Sequence, residues 1–309
     1  MLSSKMENPF NEQVQNLNKQ FGLEGQIEFG LGKNGLVTCQ LFYSSGSSLE
    51  LYLNGAHITS WKSPKGEELL FMSSESLFEL GKPIRGGIPL VFPQFGPGNL
   101  PQHGFARTSE WAVSDTHEGI DHSINVVFKL SSSAATKQFW PDANFEVSLK
   151  IRLAESLECG FEVFNKSLSA IEFQQAFHTY FDLTDIANAR VHGLNGVDYI
   201  DKNRGANQFH ETSTELKIEK PTDAVYCNVA NSVSLRDQGN HRQIDIIRDN
   251  CPDVVVWNPG SEKAKAMADF GDDEYPNMIC VEAGAIVQPV VLEPHSKWNC
   301  NMQLVVNAD

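Results

Sequence analysis

From Gly30 onward, short apolar runs alternate with polar positions at a period of two. They break at Gly, Asn, Ser or Asp every ~8 to 12 residues, the spacing that antiparallel sandwiches and barrels produce. Leu49-Glu50-Leu51-Tyr52-Leu53 before Asn54-Gly55 is one such run, and residues 124–130 (INVVFKL), 145–151 (FEVSLKI) and 160–164 (GFEVF) are others. Each suits a half-buried antiparallel strand. Helical periodicity is scarce, so an all-β fold is predicted. Residues 1–20 are polar and rich in Asn and Gln, and read as a leader or short surface helix ahead of one domain spanning residues 21–309. No linker, low-complexity stretch or internal repeat divides that span.

One stretch resists the pattern. Residues 81–107, GKPIRGGIPLVFPQFGPGNLPQHGFAR, carry too many glycines and prolines for a continuous strand. They also carry Phe92, Phe95 and Phe105, and that aromatic content predicts an ordered, functional loop. Two guanidiniums, Arg85 beside Gly86-Gly87 and Arg107, sit in it. They could form a bidentate site for phosphate or sugar hydroxyls, or each could pair with an acidic side chain.

Composition narrows the partners. Lys plus Arg number 24 against 39 Asp plus Glu, a formal charge of −15. Nucleic acid and anionic membrane are therefore not expected partners, and an anionic ligand needs a local basic pocket. Nineteen Phe and 41% hydrophobic residues can build a large core. The six scattered cysteines read as reduced, mostly buried thiols. With no signal-like h-region and no apolar run approaching ~20 residues, the expected setting is cytoplasmic.

Several residues could carry chemistry. In residues 173–182, FQQAFHTYFD, alternation sets Phe173, Phe177 and Phe181 against a polar face with Gln174, His178, Tyr180 and Asp182. Such a face lines something wet, although most histidines are structural. Glu282 ends the apolar run ICVE before Ala283-Gly284. Burial raises a carboxylate's proton affinity, an adjacent imidazolium lowers it, and the carboxylate in turn raises that of the histidine, so the two types make an acid–base pair. Nothing local says that His178 and Glu282 meet. Asp223 reads locally as a turn aspartate, and Trp257 as core or as a platform under a sugar ring. Gly30-Leu31-Gly32-Lys33-Asn34-Gly35 matches G-x-G-x-x-G, but a strand-like run follows, so it reads as a turn. There is no metal-ligand spacing and no Walker A loop, and no metal or other cofactor is expected.

These segments, in order, resemble the glucose-6-phosphate 1-epimerases (hexose-6-phosphate mutarotases) of the aldose 1-epimerase superfamily. The resemblance runs from residues 54–62 (NGAHITSWK) through RGGIPLVFPQFG, LPQHGFAR, FHTYFDLTDI, TDAVY, VVWNPG, MADFGD and MICVEAG. It implies a large antiparallel β-sandwich, the galactose mutarotase-like supersandwich. It also implies His178 as catalytic acid, Glu282 as catalytic base, and Arg85, Gln102, Arg107, Asp223 and His103 as substrate contacts. The expected ligand is a sugar phosphate, with no cofactor, bound to a monomer. Gln94 stands where some members have Trp, and Ala224 where Arg is frequent. A non-catalytic sugar-phosphate binder, a mutarotase of free aldoses and a glycoside hydrolase using Glu282 with Asp223 are the competing readings.

Overall fold

The structure, a computed structural model, describes residues 10–308. Its strands form three antiparallel sheets. A four-stranded meander runs through Ile27–Leu31, Val37–Phe42, Ser48–Tyr52 and His57–Lys62. A nine-stranded sheet includes, side by side, Arg242–Asp249, Lys297–Ala308, Leu157–Asn165, Phe145–Leu153 and Ile124–Ser131. An eight-stranded sheet places Thr222–Tyr226, Asp253–Asn258, Met278–Leu292 and Ile171–Phe177 next to one another, and Tyr180–Asp182 also pairs with Met278–Leu292. The result is the mostly antiparallel β-sandwich that the sequence pattern and the resemblance imply. The G-x-G-x-x-G segment is a hairpin connection into Val37–Phe42 that contains a single 3-10 turn, Lys33–Gly35, and is followed by a strand rather than an α-helix.

Period two decides which side chains meet the site. Phe173, Phe177, Val254, Val256, Ile279, Val281 and Ala283 of the eight-stranded sheet share the main core with Leu149, Phe161, Ile244 and Cys300 of the nine-stranded one. Their chain neighbours Ala176, Tyr180, Val255, Trp257, Met278 and Cys280 point the other way, into a second, smaller cluster. Asp223, His178 and Glu282 continue these second rows in sequence. A one-residue slip of Met278–Leu292 would drive Glu282 into the main core in place of an apolar neighbour, and the cost of burying an unpaired carboxylate there pins the register.

The amino-terminal helix Asn11–Phe21 is docked rather than free. Phe10, Val14, Leu17 and Phe21, spaced by one helical turn, pack against the main core. Asn18 Oδ1 accepts from the Phe29 backbone N–H and its Nδ2 donates to the Phe29 carbonyl, both at 2.8 Å. The rest of the expected leader, residues 1–9, lies outside the described residues. No helix among the described residues is long and apolar enough to cross a membrane. All six cysteines are free thiols, five of them buried and Cys227 half-buried.

Aromatic packing orders residues 81–107. Phe92 is the hub, with ring centroids of Phe105, Trp140, Phe145, Phe161 and Phe173 between 5.4 and 6.3 Å away. Each such pair adds about 0.5–1.5 kcal/mol beyond burial. Gly104 closes the loop at φ +73, where an added Cβ would lie 2.0 Å from the Phe92 carbonyl oxygen. Gly104→Ala is therefore expected to cost about 3 kcal/mol or more and to displace His103 and Arg107. Thermal melting checks this, and an unchanged midpoint would refute the constraint.

Asp182 keeps the Tyr180 face of its strand, opposite Met278, but lies beyond the His178 and Glu282 pair. It lines a separate cavity of about 450 Å³ with Glu50, Glu68 and Glu274. Burial pushes its carboxyl up to about 6, against the pull of Arg242. Its folded pKa therefore lies above its unfolded one, so its contribution is most favourable below about pH 4 and is lost as pH rises to about 6. Asp182→Asn, a permanent mimic of the protonated form, is expected to raise the melting temperature at pH 7 and to change it little at pH 4. Equal shifts at both pH values would contradict this assignment.

Candidate active site

The eight-stranded sheet brings His178 and Glu282 together across 104 residues of sequence. His178 sits in the break between Ile171–Phe177 and Tyr180–Asp182, where its backbone N–H donates to the Pro89 carbonyl at 3.0 Å. Glu282 lies on Met278–Leu292, opposite Val255 in the neighbouring strand. Nδ1 of His178 and Oε1 of Glu282 are 3.4 Å apart, with both side chains almost fully buried. The pair is in contact without being aligned as a hydrogen bond, and the His178 Nδ1 and Glu282 Oε2 atoms have no other partner.

Three rings hold the imidazole. Tyr180 stacks beneath it at 4.8 Å and 9°, while Trp257 and His103 meet it edge-on at 6.2 and 5.4 Å. Such packing fixes the ring plane before any ligand arrives. Trp257, placed in the core or under a sugar by the sequence, is both buried in the second cluster and part of this wall.

Burial outweighs mutual attraction in setting protonation. His178 is pushed well below the ordinary imidazole range by burial first, then by His103, Arg107 and Arg85. Glu282 is pushed well above the ordinary carboxylate range by burial, with Lys202 and Arg107 opposing and Asp223 adding to the rise. The sequence pattern leaves the balance between burial and neighbouring charge open, and desolvation decides it. Neutral imidazole with carboxylic acid, and imidazolium with carboxylate, each leave the pair holding one transferable proton. That count is what an acid–base pair needs.

The two arginines behave differently. Arg85 donates Nε and Nη2 to Asp269 at 3.2 and 3.1 Å and Nη1 to the Tyr180 hydroxyl at 3.0 Å, so its charge is largely balanced. Among the described residues, Arg107 faces no carboxylate at contact distance. Its Nη2 donates to the Gln102 carbonyl at 2.9 Å, its Nε is buried without a partner, and burial lowers it to about 10. Gln102 is exposed and touches Arg107 through its backbone. His103, at φ +64, accepts from the Gly96 N–H at 3.4 Å and is lowered to about 3 by burial and then by Arg107, so it is neutral. Asp223 stands on the site face of its strand, with Lys263 Nζ 3.5 Å away.

Asp269, Lys263 and Lys202 were not among the residues singled out from sequence. Asp269 falls inside the MADFGD segment and could have been found there. Lys202, whose ammonium lies 4.4 Å from the Phe95 ring centre, follows the strand Asp198–Asp201 with no motif around it. Its charge acts on both Glu282 and His103.

Comparison with known proteins places the chain in a family. The family described as Aldose 1-epimerase matches residues 40–305. The chain belongs to the aldose 1-epimerase family. A relative from Cenchrus ciliaris with the provisional name glucose-6-phosphate 1-epimerase is 38% identical over 266 residues, 82% of this chain and 80% of that one. One from Escherichia coli with the same provisional name is 37% identical over 233 residues, covering 74% and 77%. A solved Salmonella typhimurium structure, provisionally described as a mutarotase, superposes with a TM-score of 0.86 at 29% identity, covering 94% of this chain and 96% of that one. This aldose 1-epimerase family member is an isomerase, and the family's chemistry is the interconversion of sugar anomers.

Proposed function

We propose that the protein interconverts the α and β anomers of hexose 6-phosphates, chiefly glucose 6-phosphate, with His178 and Glu282 as the acid–base pair. The observation that carries this reading is the 3.4 Å approach of Nδ1 to Oε1 in an almost water-free setting. Once the Glu282 proton has passed to His178, giving the imidazolium–carboxylate form of the pair, Glu282 takes the proton from the C1 hydroxyl while His178 gives one to the ring oxygen. The C1–O5 bond opens to an aldehyde, rotation about C1–C2 presents the other carbonyl face, and the reverse transfers close the ring. Protons balance over the cycle. Mutarotation also proceeds unaided in water, so positioned acid–base groups worth ~10² to 10⁴-fold, plus orientation, suffice.

Phosphate selectivity rests on cations that the protein has not already neutralised. Arg107 offers an unpartnered Nε, and Lys202 adds a mobile point charge on the Phe95 side of the cleft. Arg85 keeps one N–H each on Nη1 and Nη2 for substrate oxygens, and Asp223, Gln102 and His103 are assigned to sugar hydroxyls. Exchange NMR between anomers tests the substrate class. The expected kcat/KM for glucose 6-phosphate exceeds that for glucose by about 10-fold or more, the scale of one charge-assisted contact. A ratio near one would remove phosphate from the reading.

A further inference from the structure

The acid–base chemistry leaves one buried nucleophile beside the pair unused. Cys280 precedes Glu282 by two residues on the same face of Met278–Leu292, and is fully buried. Its Sγ, a carboxylate oxygen of Glu282 and a ring nitrogen of His178 all lie within 4.8 Å of one another. We infer that His178, Cys280 and Glu282 form an inhibitory binding site for a thiophilic divalent cation, Zn²⁺ above all.

The ligand set suits that class. Imidazole, thiolate and carboxylate are the three donors zinc prefers, at about 2.0–2.3 Å, and a tetrahedral site built from them has an N···O edge of about 3.4 Å. The Nδ1···Oε1 separation is already 3.4 Å. A side-chain adjustment of about 1 Å brings Sγ to its own edge length, and three protein donors leave one tetrahedral position unfilled by side chains. Buried atoms without partners are a second, independent sign: His178 Nδ1 and Glu282 Oε2 both lack one. Binding releases to solvent the protons that burial holds on the Cys280 thiol and the Glu282 carboxyl, and the resulting thiolate and carboxylate supply two negative charges against the dication. Of the nearby cations, Arg85 is held by Asp269, leaving Arg107 and Lys202 to oppose the metal. Hard cations such as Mg²⁺, which favour oxygen ligands, have no comparable site here.

Binding stands on this geometry alone, whereas inhibition rests on the proposed epimerase reading, because the cation would occupy both groups of the acid–base pair. The test titrates Co²⁺ into the full-length protein and follows the thiolate-to-cobalt charge-transfer band and the visible bands of tetrahedral cobalt. Zn²⁺ should displace the cobalt. The expected band is present in wild type and absent in both Cys280→Ser, which preserves volume, and Cys280→Ala, which preserves apolarity. Both variants should keep the wild-type anomerisation rate while needing about tenfold or more Zn²⁺ for the same inhibition. Should neither fold, His178→Ala must lower cobalt affinity by a similar factor. No band in wild type with excess cobalt, or a band undiminished in the Cys280 variants, overturns the site. A normal band on a protein without anomerase activity leaves the metal site standing and sinks the proposed function instead.

Discussion

Replacing Glu282 by Gln or His178 by Asn lowers kcat for anomerisation of glucose 6-phosphate by ~10² to 10⁴-fold, because each substitution removes one of the two proton-transfer groups. The fold should tolerate both changes. Glu282 Oε2 and His178 Nδ1 have no hydrogen-bond partner to lose, and burial already disfavours the charged form of each side chain. Melting temperatures within a few degrees of wild type, or slightly above it for Glu282→Gln, are therefore expected. Since the two groups act as one unit, the double variant should be little worse than either single one. Wild-type turnover in either variant would refute the assignment.

Arg107→Ala is expected to raise KM for glucose 6-phosphate by about 10 to 100-fold while changing that for free glucose by less than about threefold, as a charge-assisted contact worth about 1.5–3 kcal/mol is lost. Arg85→Ala should discriminate less between the two sugars. Its charge is already balanced by Asp269, and losing it also releases the Tyr180 hydroxyl under the His178 ring, so kcat should fall for both substrates. Lys202→Met should follow Arg107→Ala in direction with a smaller effect, since an exposed ammonium is screened by solvent and salt. Equal effects of Arg107→Ala on the two sugars would end the phosphate assignment.

Much of the fold was legible because strand alternation is written into the chain. The runs at residues 124–130 and 145–151 fall inside Ile124–Ser131 and Phe145–Leu153. The same periodicity set Phe173, Phe177 and Phe181 against Tyr180, and the main and second clusters divide them that way. Asp182 follows the same alternation, yet its face there opens on the cavity lined by Glu50, Glu68 and Glu274 rather than on the site, a distance that periodicity does not encode. The docked helix Asn11–Phe21 also carried a signal, the spacing of Val14, Leu17 and Phe21, hidden by its polar composition.

The site was less legible, for a physical reason. His178 and Glu282 meet through pairing of strands far apart in sequence, which no local spacing encodes. The rival readings of Arg85 and Arg107 look alike in sequence, and tertiary structure separates them by giving Arg85 a carboxylate and Arg107 none at contact distance among the described residues. Lys202 belongs to a turn with no signature at all.

The most direct measurement dissolves pure α-glucose 6-phosphate and follows its optical rotation to equilibrium with increasing amounts of wild-type protein. The expected rate rises in proportion to enzyme, and the same amount of Glu282→Gln protein returns it to the buffer value. An unchanged rate at micromolar wild-type protein would contradict the proposed chemistry outright.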